Sequence, residues 1–156
     1  MIRWEAGEPP AVIRERLEPA LEGWRGTPWA EGQRVRGVAA MCFGFVCGVL
    51  DELFGLRLPD ELVPRDGQMR TRRGALAAML RVRRFYRPNR IVLGPAVWPG
   101  DVVVMGPDGR AAHAAIVGPN PDELWETARG SQVGPTHLAA LAARGERIVR
   151  VYRMGA

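Results

Sequence analysis

The chain has 156 residues, 47% hydrophobic and 25% charged, an ordinary globular composition with room for one core and not two, so residues 1–156 read as a single domain. Its basic residues are all arginine, 22 against 17 acidic residues for a formal net charge of +5, which admits an anionic partner but names none. No apolar run reaches the roughly 18 residues of a membrane span, and Met1-Ile2-Arg3-Trp4-Glu5 lacks the apolar stretch of a secretory signal.

Pro9-Pro10 opens a helix with Val12, Ile13, Leu17, Leu21 and Trp24 along one stripe, ended by Gly26. Gly26-Thr27-Pro28-Trp29 is a turn and short extended approach, because the residue before proline is pushed out of the helical region. Gln33 lies in the loop that follows, where it can approach a reacting carbonyl oxygen.

From Phe45 the apolar residues Phe45, Val46, Val49, Leu50, Leu53 and Phe54 recur at spacings of three and four up to Gly55. That places Cys42 in the first turn of a buried helix. Unpaired N–H groups and the positive end of the helix dipole favour a thiolate at such a position. Cys47, in the middle of the same helix, reads as a small buried hydrophobe, and the two cysteines point in different directions and do not pair.

Residues 56–68 carry Pro59, Pro64 and Asp66-Gly67 and read as a loop. Thr71 to Arg84 reads as a helix with Leu76, Met79, Leu80 and Val82 inward and a dense set of arginines around it. Pro99-Gly100 launches a strand over Asp101–Met105, Gly106-Pro107-Asp108-Gly109 returns the chain as a hairpin, and Arg110–Val117 is the next strand, carrying His113. On a third strand, Glu123 to Ala128, Thr127 and Glu126 lie on opposite faces, so only one can point at His113. Gly134-Pro135-Thr136 then reads as the start of a short capped helix ending at Gly145, with His137 in its first turn, and Arg147–Met154 as a closing strand. Helices followed by an antiparallel meander predict an α+β domain.

Cys42 and His113 are the candidate nucleophile and base, for which nearness in space is the only requirement. A third residue should orient the imidazole: Thr127 can accept from a ring N–H, and Glu126 is the stronger partner if a bulge turns it inward. Two cysteines on different faces of one helix and two distant histidines give no metal-ligand spacing, and no phosphate-binding or nucleic-acid motif is present, so no metal, cofactor or nucleic-acid partner is expected.

Gly26-Thr27-Pro28-Trp29, Cys42-Phe43-Gly44-Phe45-Val46, Gly100-Asp101 followed by four apolar residues, and His113-Ala114-Ala115-Ile116-Val117 resemble, in order and spacing, the NlpC/P60 cysteine peptidases. The likeness is greatest to the branch carried by phages and gene transfer agents. It implies a papain-like α+β fold with N-terminal helices on an antiparallel sheet. It also implies Cys42 as nucleophile, His113 as base, Thr127 at the third catalytic position, and Trp29 lining the cleft. The implied substrate is the peptidoglycan stem peptide, and the implied partners are tail-tip proteins of a virion, with the chain cytoplasmic before assembly. Where the family has Asp and Ser around the cysteine, this chain has Met41 and Phe43. The alternative reading is a tail-tip structural subunit that keeps the fold with little or no activity.

Overall fold

A computed structural model of the chain describes residues 3–4, 9–87, 90–92, 96–107 and 110–153. In chain order the elements are β1 (Arg3–Trp4), α1 (Ala11–Trp24), β2 (Arg34–Val35), β3 (Ala39–Ala40), α2 (Cys42–Phe54), a 3-10 turn (Asp60–Leu62), α3 (Asp66–Met69) and α4 (Arg72–Tyr86). There follow β4 (Arg90–Val92), β5 (Ala96–Val97), β6 (Val102–Gly106), β7 (His113–Val117), β8 (Glu123–Glu126), β9 (Gly134–His137), α5 (Ala139–Ala143) and β10 (Arg147–Arg153). The architecture is α+β: the N-terminal helices pack on a six-stranded antiparallel sheet of order β4-β10-β6-β7-β8-β9.

The helix around which this is built is α2. Every residue from Cys42 to Leu50 is buried, as expected of a helix apolar on all sides. Two glycines let its neighbours come close. A Cβ at Gly44 would lie 2.2 Å from the Gln33 carbonyl oxygen, and one at Gly48 would lie 2.3 Å from the Trp24 ring. Gly55, at φ 63°, ends the helix in the left-handed conformation that costs glycine least.

Alternation along the strands divides the interior in two. Val102, Val104, Ala114, Ile116 and Trp125 join α1, α2 and α4 in the larger core. Val103, Met105, Ala115, Val117 and Leu124 join Leu141 of α5 in the smaller one. A buried Arg153–Asp101 pair, Nε to Oδ1 at 2.9 Å and Nη2 to Oδ2 at 2.7 Å, ties the end of β10 to the approach to β6.

Four expectations are corrected or bounded here. Leu76 and Leu80 face outward, 62% and 42% exposed, because Ala75, Ala78, Met79, Val82 and Tyr86 form the buried stripe of α4. Residues 66–69 form a short helix, not a loop, with the Gln68 side chain accepting from the Arg65 N–H at 3.1 Å. Gly134–His137 is a strand paired with β8 and not a helix start, so Thr136 caps nothing. Asp108 and Gly109 of the expected hairpin turn, and Met154 of the closing strand, lie outside the described residues. Among the described residues no helix is long and apolar enough to cross a membrane.

Gly44→Ala is expected to destabilise the protein by about 1–3 kcal/mol, since the methyl meets a backbone carbonyl that a rotamer change cannot move. Denaturant unfolding checks this, and an unchanged midpoint would contradict the tight seating of the 30–35 loop on α2.

Candidate active site

Cys42 is the first residue of α2, and the extended Met41 (φ −84°, ψ 170°) is the residue that caps it. The first helical bond runs from the Phe45 N–H to the Met41 carbonyl at 2.8 Å. The N–H groups of Cys42, Phe43 and Gly44 therefore have no carbonyl one turn behind them and point out of the helix start. Met41 is fully buried, its Sδ accepting from the Gly32 N–H at 3.3 Å, and Phe43 lines an apolar cavity between α2 and α4 with Val46, Cys47, Met79 and Tyr86. Apolar residues at 41 and 43 thus serve packing. Cys47 is the inert partner: burial, and the charge of Asp51, push its thiol up to about 12.

His113 opens β7. Its Nε2 lies 2.8 Å from Glu126 Oε2, and Cys42, at the start of α2, is the second group that acts on the ring. With Nε2 held by the carboxylate, Nδ1 is the nitrogen left to face the thiol. Both His113 and Glu126 are nearly buried, their side chains 12% and 6% exposed.

Among the described residues the side chain hydrogen-bonded to the imidazole is Glu126 and not Thr127. Ile116 pairs with Trp125 and Val117 with Leu124. Position 124 therefore shares the face of 117, and alternation puts 126 on the face of 115 and 113. No bulge is needed to turn the carboxylate. Thr127 is 1% exposed, and its Oγ1 has no hydrogen-bond partner among the described residues.

Two further residues at the site had no signal in the sequence. Thr136 on β9 donates to Glu126 Oε1 at 3.2 Å. Arg144, just past α5, donates through Nη1 to Oε1 at 2.5 Å and through Nη2 to Oε2 at 3.0 Å. Burial would raise the Glu126 pKa, but the bonds and positive charge of His113 and Arg144 bring it down to about 2. Burial likewise opposes charge on His113, but the neighbouring Cys42 and the hydrogen-bonded Glu126 carboxylate push it up to about 10. The geometry favours a charged imidazole between a sulfur and a fixed carboxylate.

Trp29 and Gln33 both lie beside the start of α2. The Ala40 N–H donates to the Pro28 carbonyl at 2.9 Å and the Ala30 N–H to the Ala40 carbonyl at 3.3 Å, which runs the Trp29 segment alongside the approach to Cys42. The Trp29 ring is half-buried, with the Arg129 guanidinium 4.6 Å from its centre. Gln33 accepts the Met41 N–H at 3.1 Å through its carbonyl, and its side chain is exposed.

The shifts set a pH window for stability. The Glu126 contribution is present above its ordinary 4.5 and is lost as pH falls toward about 2. The His113 contribution is present below its ordinary 6.5 and is lost as pH rises through about 10. The stability difference between the wild type and Glu126→Gln should therefore be largest between 4.5 and 6.5 and shrink on both sides. Denaturant titrations across pH check this, and a difference that grows steadily with pH would contradict it.

No protein-family model and no curated protein matches the chain. Its fold matches solved structures. The NlpC/P60 domain of the peptidoglycan hydrolase SagA aligns with a TM-score of 0.59 at 16% identity, over 88% of this chain and 96% of that one. An NLP/P60-family protein similar to a lipoprotein, from Staphylococcus aureus, aligns at 0.61 with 15% identity over 96% of this chain, and NlpC2 from Trichomonas vaginalis at 0.62 with 10% identity over 94%. This chain spans nearly all of the SagA domain but 44% and 49% of the other two chains. The fold is that of the NlpC/P60 domains.

Proposed function

We propose that the chain is a cysteine peptidase that cleaves amide bonds in the stem peptides of bacterial peptidoglycan, acting as part of a phage tail or a similar injection device. The observation that carries this reading is the set Cys42–His113–Glu126: a cysteine at a helix start that acts on an imidazole held at 2.8 Å by a buried carboxylate. The SagA domain with the same fold belongs to a peptidoglycan hydrolase, which supports the substrate class. The sequence resemblance to the phage and gene-transfer-agent branch supports the tail setting, with tail-tip proteins as neighbours.

In this mechanism His113 takes the Cys42 proton, and the thiolate attacks the amide carbon. The carbon–sulfur bond forms as the carbonyl π electrons move to oxygen, where the N–H groups at the start of α2 stabilise the negative charge. His113 then gives its proton to the leaving nitrogen, the carbon–nitrogen bond breaks, and a thioester remains on Cys42. Water, deprotonated by His113, attacks the thioester and releases the acid. Glu126 keeps the ring's second proton on Nε2 throughout, so that Nδ1 alone exchanges protons with the reacting atoms. We assign Trp29 to the cleft wall and Gln33 to the oxyanion side on the sequence resemblance and on the position of their segment beside the approach to Cys42.

The alternative, an inert tail-tip subunit with this fold, leaves the set without a purpose. Burying a carboxylate and an imidazole carries a desolvation cost that an apolar pair would avoid, and such charged groups concentrate where chemistry requires them.

Cys42→Ala and His113→Ala are each expected to abolish release of soluble fragments from purified peptidoglycan, and Glu126→Gln to lower kcat by about 100-fold or more through loss of the tautomer. Thr127→Val should leave kcat within about twofold, since its hydroxyl orients nothing. Fragments released at wild-type rate by Cys42→Ala would move the chemistry elsewhere.

A further inference from the structure

We propose that Arg144 is a positioning residue of this site, holding the Glu126 carboxylate so that one oxygen meets His113; the role rests on the reading of Cys42 and His113 as the reacting pair. An ionised carboxylate offers about four lone-pair sites. In Glu126 all four are used. Oε1 accepts from Thr136 Oγ1 at 3.2 Å and from Arg144 Nη1, while Oε2 accepts from His113 Nε2 at 2.8 Å and from Arg144 Nη2 at 3.0 Å. Arg144 thus supplies one bond to each oxygen, the paired geometry that a planar guanidinium matches and an ammonium does not.

The arginine is itself fixed. Its N–H donates to the Ala140 carbonyl at 3.1 Å and the Leu141 carbonyl at 3.2 Å, and Leu141 is buried in the smaller core. Its Nη2 also donates to Glu146 Oε2 at 2.8 Å. The short α5 therefore serves to deliver a guanidinium to a carboxylate on β8, 18 residues earlier in the chain.

Removing Arg144 has two opposed consequences. Loss of a positive charge would by itself strengthen the imidazolium. Loss of two of its four bonds leaves a buried carboxylate with unsatisfied oxygens, which turns away or takes up a proton, and then Nε2 loses its acceptor. The positioning role requires the second effect to win. The charged and titratable groups around the ring are Cys42 from α2 and Glu126 from β8; Arg144 stands behind Glu126, and Glu146 behind Arg144.

The chain contains two histidines, so proton NMR titration of the imidazoles resolves the question. His137 is exposed, with Nδ1 accepting the Ala139 N–H at 3.1 Å, and serves as the control for intact folding. Arg144→Gln should lower the proton affinity of His113 by about tenfold or more, one pH unit in its midpoint, in the same direction as Glu126→Gln, with His137 unmoved. The kcat for fragment release should fall by about tenfold or more with KM within about twofold, and Arg144→Lys should recover part of both losses. A His113 midpoint that stays or rises in Arg144→Gln overturns the proposal. A wild type inert on peptidoglycan, with the titration falling as stated, supports the positioning role while sinking the peptidase reading. Release of fragments with an unmoved titration does the reverse.

Discussion

The pairing register of β7 on β8 is the constraint on which the site depends. Val117 opposite Leu124 and Ile116 opposite Trp125 place Glu126 on the face of His113, where its carboxylate reaches Nε2 at 2.8 Å. A slip of one residue would present Thr127 instead. That exchange would replace a charged, fully bonded acceptor by a neutral hydroxyl whose oxygen now lies buried with no partner among the described residues. The core holds the register in place, because the same slip would turn Trp125 out of the larger core and Leu124 out of the smaller one. Hydrophobic burial on both faces of the sheet thus specifies which polar residue the imidazole meets.

The site is assembled from pieces far apart in the chain, each placed by packing of its own. Apolar residues and two close-approach glycines seat α2, which sets the sulfur at a helix start against the 30–35 loop. The sheet sets the imidazole and the carboxylate. The small segment from β9 through α5 contributes Thr136 and Arg144, and Leu141 anchors it in the smaller core. Charged groups buried in this way are costly unless every lone pair and proton is matched, and around Glu126 they are matched.

Most of this fold was legible in the sequence. Helices α1 and α2 announced themselves through apolar spacing and their terminating residues, and α2 placed Cys42 in its first turn as read. The misreadings share one cause, which is that local pattern competes with tertiary context. In α4 the leucines drew the eye, but the side that packs is the one carrying alanines small enough to approach the core, so Leu76 and Leu80 were left outside. Gly134-Pro135-Thr136 has helix-start chemistry, yet β8 offered it a partner strand. The choice between Thr127 and Glu126 turned on register, a property of two strands that neither strand carries alone. The one available hint was a carboxylate directly after two apolar residues, in Leu124-Trp125-Glu126. Arg144 had no hint at all, because a solvated arginine after a short helix looks like any other.

In the proposed mechanism Cys42 forms a covalent bond to the substrate's carbonyl carbon. The most direct measurement is rapid acid quenching of the protein with peptidoglycan fragments, followed by peptide mapping by mass spectrometry. A thioester adduct of the stem peptide's acyl portion is expected on the peptide containing Cys42. The adduct should be absent from Cys42→Ala and from His113→Ala, with Cys47 unmodified. Turnover with no adduct at Cys42, or an adduct on Cys47, would contradict that mechanism.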